Sequence, residues 1–292
     1  MGKDCKTCTD ASCPVKNPNQ GFSKEEIEDR QLIAKKLCEI ENKIIVLSGK
    51  GGVGKSTVAV NLAAGLSKRK KNVGILDIDI HGPSIPRLLN LRNINLEVEN
   101  NMIKPVIAMD GLKAFSPGFL LKDDTEAFIW RGPLKMGAIK QFLRDVDWGC
   151  LDYLIIDSPP GTGDEPLSAV QLIRNATGAI IVTTPQAVAM SAVRRSITFC
   201  EKVNLPVIGI VENMSSFFCP NCSSESVLFK GNAGKILSEE TNIPLLSQIP
   251  FEPSVAIDGD AGITVDIDLD SPVSRSFRNL TEYIIQMVEG KE

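Results

Sequence analysis

Nine consecutive residues, Gly49, Lys50, Gly51, Gly52, Val53, Gly54, Lys55, Ser56 and Thr57, carry the densest chemistry in this chain. They fit G-x-x-x-x-G-K-[ST], in which backbone N–H groups cradle phosphates, the late lysine reaches the β- and γ-phosphates and the hydroxyl binds Mg²⁺. Lys50 is a second lysine near the start of the loop, one cation more than the motif requires. Two acidic segments extend the pattern. One reads Leu76-Asp77-Ile78-Asp79-Ile80-His81-Gly82-Pro83 and the other Asp157-Ser158-Pro159-Pro160-Gly161-Thr162-Gly163-Asp164. An aspartate that closes an apolar strand can hold Mg²⁺ through water, and the glycines after it let a loop respond to a γ-phosphate. Asp157 is the expected metal-side carboxylate. Orientation of the attacking water falls to Asp79, and Asp77 supports the loop or the metal shell.

The cysteines make a second chemistry. Five of the eight stand in two groups, Cys5-x2-Cys8-x4-Cys13 and Cys219-x2-Cys222, while Cys38, Cys150 and Cys200 are isolated. In a reducing compartment they do not read as a disulfide framework. Closely spaced thiolates suit a soft metal, either an iron–sulfur cluster or tetrahedral zinc. The three isolated cysteines read as small buried hydrophobes. His81 is the single histidine, which argues against histidine-dependent catalysis and places this residue in the loop beside Asp79.

These groups need a frame. Unbroken apolar runs predict strands at 43–48, 73–77, 112–116, 153–157, 178–183, 207–212 and 245–249. Continuous rather than alternating apolarity means that both faces are covered, as in a parallel sheet between helices. Helical spacing predicts helices at 56–69, 132–146, 166–175, 187–203, 231–241 and 272–289, and another from Ser23 to about Glu41 that opens with Ser23 as N-cap and Glu26 three residues on. The expectation is one doubly wound α/β domain over 23–292, mostly parallel, with nucleotide at the carboxyl ends of the strands. A flexible cysteine-bearing tail over 1–22 precedes it.

A charged fraction of 23% and a net charge of −4 are ordinary for a soluble chain and argue against a general nucleic-acid binder. The basic run Lys68-Arg69-Lys70-Lys71 falls where a helix ends, a position that favours cations. No segment approaches the eighteen or so apolar residues of a membrane span. A cytoplasmic location is expected.

Taken together, Lys50-Gly-Gly-Val-Gly-Lys-Ser56, Leu76-Asp-Ile-Asp-Ile-His-Gly-Pro-Ser84, Asp157-Ser-Pro-Pro-Gly-Thr-Gly-Asp164 and Cys219-Pro-Asn-Cys222 resemble the Mrp/ApbC family of iron–sulfur carrier P-loop ATPases, over residues 30 to 290. The first motif is shared with MinD, ParA and nitrogenase iron protein relatives. The C-x-x-C after Ile208-Gly-Ile-Val-Glu-Asn-Met214 narrows the resemblance. It implies a homodimer in which one C-x-x-C from each subunit supplies four thiolates to a bridging [4Fe-4S] cluster, with zinc as the alternative occupant. The cluster would come from donor or scaffold proteins and pass to apo iron–sulfur proteins. By the same resemblance Lys50 extends toward the nucleotide of the partner subunit while Lys55 serves its own. Asn213 and the Ile249-Pro250-Phe251 turn would flank adenine, although Asn213 also suits a turn that satisfies its own backbone. The N-K-x-D pattern of guanine readers is missing, so ATP is favoured. Some family members carry four N-terminal cysteines that hold a second cluster; this chain has Cys5, Cys8 and Cys13, which leaves a second cluster, zinc or a redox-labile tail open. Trp130 and Arg131-Gly132-Pro133 are assigned by analogy to a dimer-facing surface. Two rival readings are a MinD/ParA-type positioning ATPase, which needs a membrane-binding tail or a basic DNA surface, and an iron-protein-like electron-transfer reductase, whose ligating cysteines lie far apart on two loops. The amphipathic stretch Phe277–Val288 lacks a cationic face and is expected to pack on the sheet.

Overall fold

The computed structural model describes residues 23–121, 132–173, 175–219, 221–222 and 224–290. In chain order the elements are α1 (Lys24–Leu37), β1 (Ile40–Ser48), α2 (Lys55–Lys68), β2 (Val73–Asp77), α3 (Ile85–Leu88), β3 (Val98–Glu99), β4 (Met102–Ile103), β5 (Val106–Met109), β6 (Leu112–Phe115), α4 (Gly132–Asp145) and β7 (Leu151–Asp157). The second half adds α5 (Asp164–Leu172), β8 (Gly178–Thr183), α6 (Ala187–Lys202), β9 (Val207–Phe218), β10 (Glu225–Ser226), α7 (Ala233–Thr241), β11 (Leu245–Phe251), α8 (Pro253–Ala261) and α9 (Pro272–Glu289).

The main sheet runs β10-β9-β8-β1-β7-β2-β6-β5, with β11 also paired to β9. Its pairings are parallel except at the ends, where β5 runs antiparallel to β6 and β10 antiparallel to β9. The unbroken apolar runs follow from burial on both faces. Along β1, Ile44 and Val46 enter a core with Val58, Leu62 and Phe277 from α2 and α9, whereas Ile45 and Leu47 enter one with Ile139, Phe142 and Leu143 from α4. β1, which leads into the phosphate loop, lies between β7 and β8, so that loop leaves the sheet from its middle. The registers Val46↔Asp157 and Asp77↔Asp157 set the ends of β1, β2 and β7 side by side.

Ser23 caps α1 in a reciprocal box with Glu26. That helix stops at Leu37, however, and β1 begins at Ile40, so the predicted helix to Glu41 is too long. Glu39 and Glu41 read as helical in sequence, but the sheet register Ile40↔Leu151 overrides that preference. β9 runs six residues past the predicted end at Glu212, because polar residues continue a strand whose pairing partners extend with it. The short β3–β4 hairpin, β5, α3 and α8 have no counterpart among the predicted elements.

The basic run after α2 faces acids. Lys68 pairs with Asp266 and Asp268, Arg69 with Asp268 at 2.9 Å and Glu282 at 3.2 Å, and Lys71 with Glu289 at 2.6 Å. A neutralised patch of this kind offers no phosphate-binding surface. α9 buries Val273, Phe277, Leu280 and Ile284 against the sheet, as expected for packing rather than membrane contact. No helix among the described residues is long and apolar enough to cross a membrane.

Candidate functional site

The loop after β1 turns on left-handed glycines. Gly52 and Gly54 have φ of 76° and 79°, and Gly54 is the N-cap of α2. A Cβ at Gly54 would lie 2.2 Å from the Asn213 Nδ2 atom, so both the backbone angle and the close approach require glycine there. The amide N–H groups at the start of α2 and the helix dipole favour an anion at this end. A cleft of about 320 Å³ lies over the loop, lined by residues 50–57 with Ser48, Asp79, Arg87, Pro160 and Asp260. Gly49 is not part of the lining; a Cβ there would meet the Ala192 backbone at 2.5 Å.

The two lysines diverge. Lys55 is buried and ion-paired with Asp157, and its Nζ also donates to Ser56 Oγ at 3.3 Å. Lys50 instead reaches across to α6, where its Nζ donates to Gln186 Oε1 at 3.0 Å.

The three predicted acids occupy different depths. Asp157 is fully buried, and its Oδ2 has no partner, nor do the hydroxyls of Ser48 and Ser158 beside it. Asp77 is also fully buried, but both of its oxygens are used: Oδ1 accepts the Asp79 N–H at 3.0 Å and Oδ2 the Ser116 hydroxyl at 2.9 Å. Burial raises the Asp77 carboxyl well above the usual carboxylate range, and the nearby charge of Asp157 pushes it further the same way. Burial raises Asp157 as well, against the opposing pull of Lys55. Only Asp79 lines the cleft, and its Oδ1 accepts the Gly82 N–H at 3.2 Å.

A second cavity of about 270 Å³ adjoins the first, sharing Gly54, Thr57, Leu88 and Asp260 with it. Asn213, Met214, Ile249, Pro250 and Phe251 form its far wall. Here the Asn213 amide donates to Val53 O at 2.9 Å, so it braces the phosphate loop rather than its own turn. At the mouth Arg87 of α3 pairs with Asp260 of α8 at 3.0 Å. Another cavity, of about 620 Å³, lies beside the loop and not over it, between Asp79–Gly82 and Pro159–Pro166. Lys135 and Glu165 pair at 2.5 Å there, and His81 Nε2 lies 4.0 Å from the same carboxylate.

Cys219 and Cys222 follow directly on β9, in the turn before β10. Cys219 is half-buried and Cys222 exposed. The Cys219 N–H donates to Ser224 O at 3.0 Å, and Cys222 Sγ lies 3.0 Å from Ser224 Oγ. Hydrogen bonds from Ser224, then one from Cys219, hold the Cys222 thiol below its ordinary pKa. A lowered thiol pKa enlarges the thiolate fraction, the form that binds metal and attacks electrophiles. Ser224→Ala should therefore shift the alkylation profile of Cys222 to higher pH and slow the reaction at pH 7 by about threefold. An unmoved profile would remove Ser224 from this role. Among the described residues no group of three or more His, Cys, Asp or Glu side chains could hold a metal, so the pair offers two thiols per chain. Cys5, Cys8 and Cys13, with Trp130 and Arg131, lie outside the described residues.

Residues 39–285 match the family model described as ParA, NUBPL iron-transfer P-loop NTPase. The chain belongs to this family. It is 45% identical over 281 residues to an iron-sulfur cluster carrier protein of Methanocaldococcus jannaschii, covering 96% of this chain and 97% of that one. It is 47% identical over 258 residues to another protein of that description from Saccharolobus solfataricus, covering 88% and 87%. Among solved structures it is similar to a nucleotide-binding protein of Archaeoglobus fulgidus in complex with ADP, with TM-score 0.72, 41% identity and coverage of 80% and 91%. The septum site-determining protein MinD of Pyrococcus horikoshii, at 20% identity and TM-score 0.60, shares the fold.

Gln186, Arg87 and Asp260 are the residues at this cleft that sequence reasoning missed. Each is an ordinary polar residue outside any motif. Gln186 and Lys50 are 136 positions apart, and nothing local in the sequence marks their meeting.

Proposed function

We propose that this chain is an ATP-dependent carrier that assembles a [4Fe-4S] cluster between two copies of itself and hands it to apo-proteins. One observation carries the reading: a phosphate loop with an extra lysine and a two-thiol turn sit on one sheet, joined through Asn213 of β9. Two thiols per chain are half of a four-thiolate cluster site, so a second copy completes it. The relatives named as iron-sulfur cluster carriers, matched along nearly the whole chain, support the same assignment.

The phosphate cleft holds the triphosphate, and the cavity flanked by Asn213 and Pro250 holds the base. Mg²⁺ fits the residues present, because the buried Asp157 Oδ2 lacks a partner close to Lys55 and the Ser56 hydroxyl. Ser56 and Asp157 would hold the ion, which neutralises charge on the β- and γ-phosphates. Asp77, with both oxygens occupied, supports the Asp79 loop from behind. Asp79, in the cleft, orients the attacking water. Lys55 moves from Asp157 to its own nucleotide's phosphates, and Lys50 leaves Gln186 for the nucleotide of the second copy. A cation placed there stabilises charge that builds as the phosphoryl group departs.

Anaerobic reconstitution with iron and sulfide, followed by counting both per dimer, tests the carrier function. The wild type should take up at least about four of each per dimer. Cys219→Ala/Cys222→Ala should lose that cluster and with it transfer to an apo-enzyme. A double variant that keeps all of its iron would overturn the assignment.

A further inference from the structure

Glu212 is a buried carboxylate that neither nucleotide binding nor cargo ligation uses. It is 1% exposed on β9, one residue before Asn213. Its Oε2 accepts the Gly234 N–H at 2.6 Å and its Oε1 the Gln248 side-chain N–H at 2.8 Å. These short bonds to a carboxylate are the strong kind, and both oxygens are satisfied. Gly234 lies in the first turn of α7, and the chain between Glu212 and Gly234 is the excursion that carries Cys219 and Cys222. One side chain therefore fastens β9, before the excursion, to the first turn of α7, after it, and ties both points to β11.

One root touches the phosphate loop, and the other touches the segment that holds the loop's Lys50. At the outgoing root, Asn213 donates to Val53 O at 2.9 Å. At the returning root, the Ala233 N–H donates to Pro185 O at 3.3 Å, and Gly231 packs so closely that a Cβ would lie 2.2 Å from that oxygen. Pro185 precedes Gln186, the residue that holds Lys50. Beyond the outgoing root the strand is bent. Met214 has φ of 57°, unusual for a residue with a side chain, and it lines the base cavity. The pairing with β11 steps from Ile249↔Asn213 to Phe251↔Phe217, so β9 spends four residues where β11 spends two. A bulge of this kind re-aims the strand that follows, which here leads to Cys219.

We propose that Glu212 is a positioning residue that couples the nucleotide pocket to the cysteine pair, by holding one root of the excursion against the phosphate loop and the other against the segment that holds Lys50. The inference deepens the carrier reading and rests on it for its biological meaning. Nucleotide that shifts Val53, Asn213 or Lys50 then moves the cysteines as one body. Without Glu212 the roots separate, and each site responds alone.

The test uses the full chain without cluster and reads alkylation of individual cysteines by mass spectrometry, with and without ADP. In the wild type ADP should change the rates of Cys219 and Cys222 by about fivefold or more, within the ordinary range of coupling between sites. Cys150, expected from the sequence to be buried but in fact exposed, is the internal control and should not change. In Glu212→Ala the ratio should fall to about one while ADP affinity stays within about threefold. Glu212→Gln should restore the ratio, because Gln248 can turn its amide to offer its carbonyl while Gln at 212 accepts the Gly234 N–H. A purely structural role would not give a nucleotide-dependent ratio rescued in this way. If Glu212→Ala does not fold, Gln248→Ala removes one of the two bonds and should give an intermediate ratio. A wild-type ratio near one, an undiminished ratio in Glu212→Ala or Gln248→Ala, or no rescue by Glu212→Gln would overturn the proposal. Because no cluster is present, failure of iron reconstitution would sink the carrier reading and leave this result standing.

Discussion

Replacing Lys50 by alanine should lower ATP hydrolysis by about a thousandfold and leave nucleotide affinity within about threefold, the pattern of a cation that acts on the transition state. The structure motivates the split. Lys55 is fixed deep in the loop by Asp157, whereas Lys50 stands at the cleft rim, attached only to the neutral Gln186 among the contacts seen. Exchanging a hydrogen bond to a neutral amide for one to a phosphate is favourable, since a charged acceptor binds a cation more strongly. Turnover and ADP binding measured on the same preparation decide the matter. Parallel loss of both would mean that Lys50 binds its own nucleotide. A mixed dimer of Lys50→Ala with a catalytically dead partner would then place the defect in one subunit or across two.

Lys55→Met should destabilise the apo-protein by about 3–5 kcal/mol at neutral pH, the usual result of stripping one partner from a buried ion pair. Both Lys55 and Asp157 are buried, and Asp157 stands beside a second buried carboxyl, Asp77. Lys55 is the cation that opposes the upward shift of both acids. The sign of the pH dependence follows. Burial shifts the titration of Asp77 and Asp157 in the folded chain above the value near pH 4 that the unfolded chain has. Their contribution to stability is full below that pH and is lost as pH rises through their folded values. Lys55→Met should steepen this decline, and Lys55→Met/Asp157→Asn should recover much of the loss. Denaturant titrations at acidic and neutral pH measure both effects. Equal loss at the two pH values would disconnect Lys55 from the acids.

The parts of this molecule legible in the sequence are those where one physical demand acts on adjacent residues. Ser23 and Glu26 announce a helix start, Gly54 is forced by a left-handed turn, and Ile44–Leu47 must be apolar throughout because both faces of β1 are covered. Other features answer to distant partners. Glu39 and Glu41 look helical, yet Leu151 and Tyr153 on β7 draw this segment into the sheet. β9 is longer than its apolar run because Glu212 and Asn213 are satisfied by Gly234, Gln248 and Val53. Polar residues in a strand read as its end when those partners are out of sight. α3 and α8 have proline in their first turn, and no extended apolar stripe marks them. The Gln186 contact to Lys50 and the Arg87–Asp260 pair at the cleft mouth likewise exist only after folding.

Two of the described cysteines, Cys200 and Cys222, differ enough to set an order in which this protein ages in air. Cys200 is buried and its thiol is pushed up to about 12, whereas Cys222 is exposed and shifted the other way. Oxidants act on thiolates, so Cys222 is attacked well before Cys200. A sulfenic acid formed at Cys222 has the Cys219 thiol beside it, and the two condense to a disulfide with release of water. Reductant reverses that step. Oxygen exposure thus consumes the thiols of this turn while the core stays intact, and under the proposed carrier function a preparation that looks perfectly folded by circular dichroism is already unable to load.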